Sequence, residues 1–391
     1  MWRGTLSTRS RPSVRRPSRK EDPFSAIGGA VRRPAIVLAF VVALDVALLF
    51  AGGGRPAGRV GSGAGGAGRS GRQVRVGLVF DVGGRGDRSF NDLAYAGLER
   101  ARDELGVEVE YIEPGEGADR ESAIRIFAAR GFDLVVGVGF IFSQDLTALA
   151  REYPRVKFAC IDYAPPMKDG QPLPIPQNLV GLKFREEEGS FLVGAVAGLV
   201  TRSRVVGFVG GMDMPLIHKF EAGYRAGVTE VCSDCRVLAQ YAGSTPVAFK
   251  DPVKGAAIAR SQLGQRADVL FHASGSTGLG VIRLARERGV WAIGVDADQF
   301  EDGLQAGSST RSAILTSMVK RVDVVVVETI RAVLSGSFQG GIRVFGLADD
   351  GVDYVHEGPH GRAIPRPVVA RVEALRARVV AGEIHVPQSV P

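Results

Sequence analysis

Cysteine and histidine are scarce in this chain, with three and five copies in 391 residues. Cys232 and Cys235 form a C-x-x-C within EVCSDC, but a zinc site wants a second ligand pair. His218, His272, His356, His360 and His385 show no such spacing. Signatures of common catalytic sites are missing too. GGRGDRS and GSTGLG hold the glycines of a phosphate loop, yet neither ends in Gly-Lys-Ser/Thr. No G-x-G-x-x-G stands straight after the first apolar run, and there is no G-x-S-x-G elbow. Metal, cofactor and enzyme templates all fit poorly, and none is expected.

A basic surface is also lacking where the fold should be. Of 49 basic and 42 acidic residues, 14 and 3 fall within residues 1–75, which leaves 35 and 39 for the remainder. The net charge of +7 therefore belongs to a tail, and the folded part is mildly acidic. Nucleic-acid binding loses its main support. The tail runs from a basic segment (1–33) through an apolar one (34–51, containing AIVLAFVVALDVALLFA) to a Gly/Ser-rich linker (52–73). An apolar run behind a cationic segment reads as a signal peptide or an N-terminal membrane anchor, with the arginines on the cytoplasmic side. Asp45 inside the run disfavours a permanent span. The protein is expected to be exported, to the periplasm or the outer face of the cytoplasmic membrane. In that setting Cys232 and Cys235 read as a local disulfide, and Cys160, in VKFACID, as a buried small residue.

From Val74 onward, short Val-rich runs alternate with segments whose apolar residues recur every three or four positions. Strands are expected at 74–80, 107–113, 132–139, 156–162, 178–184, 204–210, 236–243, 267–274, 290–296 and 312–318. Helical segments lie between most of them, which implies parallel sheets covered on both faces. The βα units are too many for one comfortable sheet, and the Pro-rich segment 163–177 is the natural seam between two lobes. In such lobes ligands collect at the carboxyl ends of the strands, and two facing lobes make a cleft that closes by hinge motion.

Those strand ends carry Gly, carboxylate and aromatic residues in nearly every loop. Asp81 and GGRGDRSFN follow the first strand, GFIFS with Phe140 the third, and Asp162-Tyr163 the fourth. GGMDMPLIHKF, GSTPVAFKD, HASGSTGLG with Gly275, and Asp296-Ala297-Asp298 follow in the second half. Asp and Gly also serve as turn residues and caps after parallel strands. Ser89 or Asn91 alone could cap the helix that begins near Phe90, so an aromatic ring in its first turn needs a further reason, packing or ligand. A pair such as Asp81 and Asp162 could do acid–base work, but carboxylates equally hold sugar hydroxyls or purine N–H groups without catalysis.

The run D-x-x-x-x-x-D-x-SFN-x-x-x-x-x-G, then GFIFS, FACIDY, NLVGLKFREEEGSFLVGAVAG, VGFVGGMDMPLI-x-x-FEAGY, AFKDPVKG, GSTGLGV, GVDADQ, LTSMVKRVD and AGEIHVP resembles the basic membrane protein family. These are substrate-binding proteins of ABC importers, typified by bacterial purine-nucleoside-binding lipoproteins. The resemblance covers roughly 74–388 and implies an α/β, type-1 periplasmic-binding-protein fold. That fold has two Rossmann-like, doubly wound lobes, a ligand cleft between them and three crossovers near it. It places 74–181 and 317–338 in the first lobe and 182–316 and 339–391 in the second, with the first crossover at 163–177. It further implies a base sandwiched between Phe90 and Phe249, with Asp162 reading the base edge. Asp296 and Lys320 would hold the ribose, Asp81 and Asn91 would make polar contacts from the first loop, and Phe140 and Gly275 would line the ligand site. The implied partners are a purine nucleoside and an inner-membrane ABC permease, with no nucleic acid, for a monomeric receptor. Two other roles use the same cleft, a membrane-anchored sensory domain and a nucleoside-processing enzyme. The family's lipid-acceptor Cys is lacking after the apolar run, and the loop GSTPVAFKDPVKG is longer than the family's short version.

Overall fold

The computed structural model describes residues 72–115 and 120–390. The basic segment 1–33, the apolar segment 34–51 and the linker up to residue 71 lie outside the described residues. Among the described residues, no helix is long and apolar enough to cross a membrane.

The chain first lays down β1 (Arg75–Val79), α1 (Phe90–Leu105), β2 (Glu108–Ile112), α2 (Arg120–Ala129), β3 (Leu134–Val138), α3 (Ser143–Glu152) and β4 (Lys157–Ile161). A small antiparallel ribbon, β5 (Met167–Lys168) and β6 (Gln171–Pro172), precedes β7 (Leu179–Phe184). The second lobe follows with α4 (Glu186–Val200), β8 (Val205–Met212), α5 (Pro215–Val231), β9 (Arg236–Gly243), α6 (Pro252–Gly264), β10 (Val269–Ala273), α7 (Thr277–Arg288), β11 (Trp291–Asp296) and β12 (Ile314–Lys320). The chain then returns to the first lobe for α8 (Val322–Leu334) and β13 (Gly341–Phe345). It ends in the second with β14 (Val352–Tyr354) and α9 (Arg366–Val380).

The two six-stranded sheets have matching orders, β13-β7-β4-β3-β1-β2 and β14-β12-β11-β10-β8-β9. Every pair in them is parallel except β12 with β14. The central strands are buried from end to end, as LVVGV in β3 and VLFHA in β10 illustrate. Continuous apolar runs of this kind are what a sheet covered on both faces requires. One apolar core runs through both lobes and includes Leu78, Leu98, Phe191, Phe208, Tyr224 and Val326. Separate cores lie on the other faces, around Phe127, Phe142 and Phe158 in the first lobe and around Ile258, Ile282 and Leu284 in the second. Both lobes belong to one compact unit, Arg69–Pro391.

The chain crosses between lobes at Arg185, Arg321 and Gly346, and these positions correct the expected boundaries. A break between 181 and 182 would cut β7, which pairs with β4 through Leu182 and with β13 through Phe184. A break at 316/317 would cut β12, which holds β11 through Val319 and β14 through Lys320. Residues 341–345 belong to the first lobe, because β13 is the outer neighbour of β7. Segment 163–177 is likewise no crossover. It joins β4 to β7, parallel neighbours in one sheet, and such a pair needs a connection of a dozen or more residues. Prolines stop that connection from being a helix, so it makes the β5–β6 ribbon instead. The crossings are tied together: Arg185 N donates to Phe345 O at 2.8 Å, Arg321 N to Gly351 O at 2.9 Å, and Leu347 N to the Glu188 carboxylate at 2.9 Å.

Cys232 and Cys235 are joined in a disulfide at the end of α5, and Cys160 is free and buried. Asp234 lies beside the disulfide pair, the one cluster of three metal-ligating residue types found among the described residues.

Candidate functional site

Loops at the carboxyl ends of both sheets enclose a cavity with about 570 Å³ of space between its walls, its mouth included. About 70 Å³ of that admits the centres of water molecules. Asp81, Phe90, Asn91, Phe140, Asp162, Phe249, Gly275, Asp296 and Lys320 all line it. The structure therefore brings all nine of the expected residues to one place, from both lobes.

The cap of α1 explains how the first loop is built. Neither Ser89 nor Asn91 caps the helix, which corrects the expectation from the sequence. Asp87 does so, its carboxylate accepting from Ser89 N (3.0 Å), Asn91 N (2.9 Å), Asp92 N (3.2 Å) and Asn91 Nδ2 (3.0 Å). A carboxylate satisfies several orphan amides at once and suits the positive end of the helix. Asn91 is then free to tie the helix to the strand, its Oδ1 accepting from Asp81 N at 3.0 Å. Ser89 is free to reach the other lobe, where its Oγ donates to Asp296 Oδ2 at 2.6 Å. Phe90 is left partly buried on the cavity wall, against the edge of the main core.

Two of the cavity carboxylates stand in the left-handed backbone region, Asp162 with φ 59° and Asp296 with φ 63°. Non-glycine residues there carry a conformational cost that concentrates at functional sites, although Asp bears it better than most. Each is at the end of the third strand from its sheet's β13 or β14 edge. Their partners differ. Asp162 receives Lys320 Nζ on both oxygens, at 2.6 and 2.7 Å. Lys320 also lies 3.2 Å from Glu186 Oε1, and its ammonium sits 5.0, 4.9 and 5.9 Å from the ring centres of Phe90, Phe184 and Phe220. The ammonium thus gives two hydrogen bonds to Asp162, while Glu186 Oε1 is a charge neighbour that accepts no hydrogen bond.

Burial dominates the electrostatics. It would lower the Lys320 pKa, but Asp162, Glu186 and Asp296 outweigh it and hold the ammonium above its ordinary range. Burial pushes Asp162 upward, against the pull of Lys320. Burial also raises Asp81 to about 7, opposed by the Val82 amide, and Asp296 to about 6, opposed by Lys320 and Ser89. Two carboxyl groups of the cavity therefore titrate near neutrality.

The two lobes are bridged from the loop that precedes α1. Arg88, with φ 53°, forms an ion pair with Asp302, and its carbonyl accepts from Gln299 Nε2 at 3.3 Å. Gln299 is positioned by Val295 N and by His272, which donate or bond to its Oε1 at 3.0 Å each. Burial lowers the His272 pKa to about 4, so this histidine is neutral. With Ser89–Asp296 and Lys320–Asp162, these contacts join the two lobes.

Phe249 rests against the end of β8, where a Cβ on Gly211 would come within 2.3 Å of its ring. Val82, Asp87, Leu216, Ile217, Phe220 and Ser276 also line the cavity and were not singled out from the sequence. Leu216 and Phe220 are four residues apart on α5, so one helix face enters the site. Their spacing in PLIHKF was readable as an apolar stripe, but a stripe does not say whether it meets core or ligand.

The sequence model of the family described as Bmp, ABC transporter substrate-binding protein PnrA-like, matches residues 74–388. The chain is 34% identical over 335 residues to the CD4+ T-cell-stimulating antigen of Listeria monocytogenes, a match covering 82% of this chain and 90% of that one. It is 31% identical over 305 residues to the ABC transporter nucleoside-binding protein BmpA of Lactococcus lactis, covering 74% and 84%. Among solved structures, a solute-binding protein of an ABC transporter system from Aeropyrum pernix K1 superposes with a TM-score of 0.69 at 31% identity, covering 81% of this chain and 94% of that one.

Proposed function

The chain belongs to the PnrA-like family of ABC transporter substrate-binding proteins, and from that premise we propose that it captures purine nucleosides outside the cytoplasm and hands them to an inner-membrane ABC permease. One observation carries this reading. A partly buried aromatic ring from each lobe, Phe90 and Phe249, lines the same cavity as Asp81, Asp162 and Asp296. Two rings offer flat faces to a base, worth about 1–3 kcal/mol per stacked base. The carboxylates accept from a base N–H at Asp162 and from ribose hydroxyls at Asp296. Lys320 acts by fixing Asp162. The nucleoside name of the Lactococcus relative supports the same ligand class.

The receptor works as a monomer, exported by or anchored through the apolar segment 34–51. Ligand binding favours the closed arrangement, because both lobes touch it. A thermal-shift screen of nucleosides, free bases, sugars and amino acids tests the reading, since a ligand of the folded state raises its stability by mass action. Purine nucleosides should give the largest shifts. Stabilisation by sugars or amino acids, with none by nucleosides, would overturn it.

A further inference from the structure

Behind the cleft, a line of alternating charges runs from Asp162 through the hinge to the C-terminal segment. Asp162 holds Lys320, which lies 3.2 Å from Glu186 Oε1. The other oxygen of Glu186 pairs with Lys219, which in turn lies 3.2 Å from Glu187 Oε2. Glu187 Oε1 then accepts from Gln388 Nε2 at 2.7 Å. Glu186, Glu187 and Lys320 are buried, and Lys219 is nearly so.

The fold goes to some length to assemble this line. Lys320 is the last residue before one crossing, and Glu186 the first after another. Lys219 reaches both glutamates because α4 and α5 touch backbone to backbone. A Cβ on Gly223 would come within 2.1 Å of Glu187 O, and one on Gly227 within 1.9 Å of Phe191 O. Three carboxylates against two ammonium groups leave one negative charge unmatched. The Gln388 amide donates to one Glu187 oxygen, while Glu186 Oε1 and Glu187 Oε2 have ammonium neighbours at 3.2 Å but accept no hydrogen bond. Burying ions this way is weak ground for stability, since apolar packing does as well or better. A buried line with one end in the cleft therefore calls for a role in orientation.

We propose that Glu186, Lys219, Glu187 and Gln388 are positioning residues: they hold the Lys320 ammonium, and through it the Asp162 carboxylate, in the orientation that a ligand meets. A residue of the C-terminal segment thus sets ligand affinity without touching ligand. The proposal rests on the reading of the cleft as a nucleoside site and adds to it a remote control of that site.

The test uses the full chain, guanosine and inosine as probes, and substitutions of opposite charge at the exposed Gln388. Gln388→Glu sets a carboxylate against Glu187 and should weaken binding roughly five- to tenfold, whereas Gln388→Lys keeps a donor there and should stay within about twofold. In the ligand-free protein, Gln388→Glu should also speed hydrogen exchange at the amides of Asp162, Arg185 and Arg321, and Gln388→Lys should not. Lys219→Met should lose more than about tenfold in affinity, with most of it restored by Lys219→Arg. Equal affinities and equal exchange for Gln388→Glu and Gln388→Lys would overturn the proposal, as would parental binding by a folded Lys219→Met. Should Lys219→Met fail to fold, the Gln388 pair decides alone. A parent chain that binds neither probe sinks the nucleoside reading, and the exchange comparison then decides the relay by itself.

Discussion

Asp162 and Asp296 occupy equivalent places in the two lobes, at the ends of β4 and β11, and share the same left-handed backbone. Each takes its partner from the other lobe: Asp162 receives the buried Lys320 ammonium of β12 on both oxygens, while Asp296 receives only the Ser89 hydroxyl from the first lobe. One geometry has thus been put to two electrostatic uses. Asp162 is a carboxylate tied to an ammonium that stands next to the Arg321 crossing. Asp296 is an acid whose pKa is raised to about 6, and its one hydroxyl partner stands in the loop before α1, far along the chain from any crossing. Duplicated architecture sets where a side chain stands, and the residues packed around it set its charge.

The largest effect should come from breaking the fixed side. Lys320→Met leaves Asp162 buried without its counter-ion and Glu186 with Lys219 alone, and should cost about 3–5 kcal/mol of folding free energy. The matching change on the other side, Ser89→Ala, removes one hydroxyl donor and should cost only about 1–3 kcal/mol. Denaturant melts of the two variants measure the contrast, and equal losses would erase the distinction between the carboxylates.

Asp296→Ala sharpens the comparison through ligand. If Asp296 holds ribose, the variant should lose about 1.5–3 kcal/mol of guanosine binding for each charge-assisted hydrogen bond removed, and less for guanine. Calorimetry with both ligands decides, and an equal loss for the two would place Asp296 away from the sugar.

Phe90→Ala comes next, at about 1–3 kcal/mol of nucleoside affinity, with Phe90→Trp tolerated. Since the ring is only partly buried at the edge of the core, the stability cost should fall well short of the roughly 3–5 kcal/mol of a core Phe→Ala change. A large stability loss with intact affinity would make Phe90 a packing residue.

The smallest expected effect is a pH dependence. Asp296, raised to about 6, and Asp81, raised to about 7, hold their protons more tightly in the folded chain than at their ordinary value of 3.8. Their stabilising contribution is therefore complete below about pH 4 and is lost as the pH rises towards 7. A ligand that donates to the ionised carboxylates should bind more tightly across the same rise, by at most roughly tenfold per unit and group. Asp296→Asn should flatten the profile near pH 6, and Asp162→Asn should leave that part in place. Titrations between pH 5 and 8 would show the reverse pattern if Lys320 did not pin Asp162.

Much of this was legible in the residues. Ten strands were readable, the inner eight because buried parallel strands are nearly continuous apolar runs. The half-exposed edges β2 and β9 were readable from their apolar alternation and their place between helical segments. The strand-end loops pointed to the cavity because the fold class places sites there. β14 has three residues, and β13 is an edge strand with Ile342, Arg343 and Val344 exposed, so neither has the buried run that marks its neighbours. Without β13 the lobe boundaries could not be drawn correctly. The cap was misassigned because Asp87 lies ahead of the helix and acts through a turn, whereas Ser89 stands at the conventional place. The charges behind the cleft were hidden for another reason. REEEG and HKF read as ordinary charged surface until α4 and α5 are seen to meet at glycines.

The return of the chain to the first sheet has a consequence in time. β7 gains its outer neighbour only when β13 emerges, about 160 residues later. At a synthesis rate of about 5–20 residues per second, that edge stays bare for roughly 8–30 s. Bare strand edges invite pairing with other chains, so the first lobe cannot be finished as it is made. For a polypeptide whose fold closes only near its end, threading across a membrane before folding is a natural order of events.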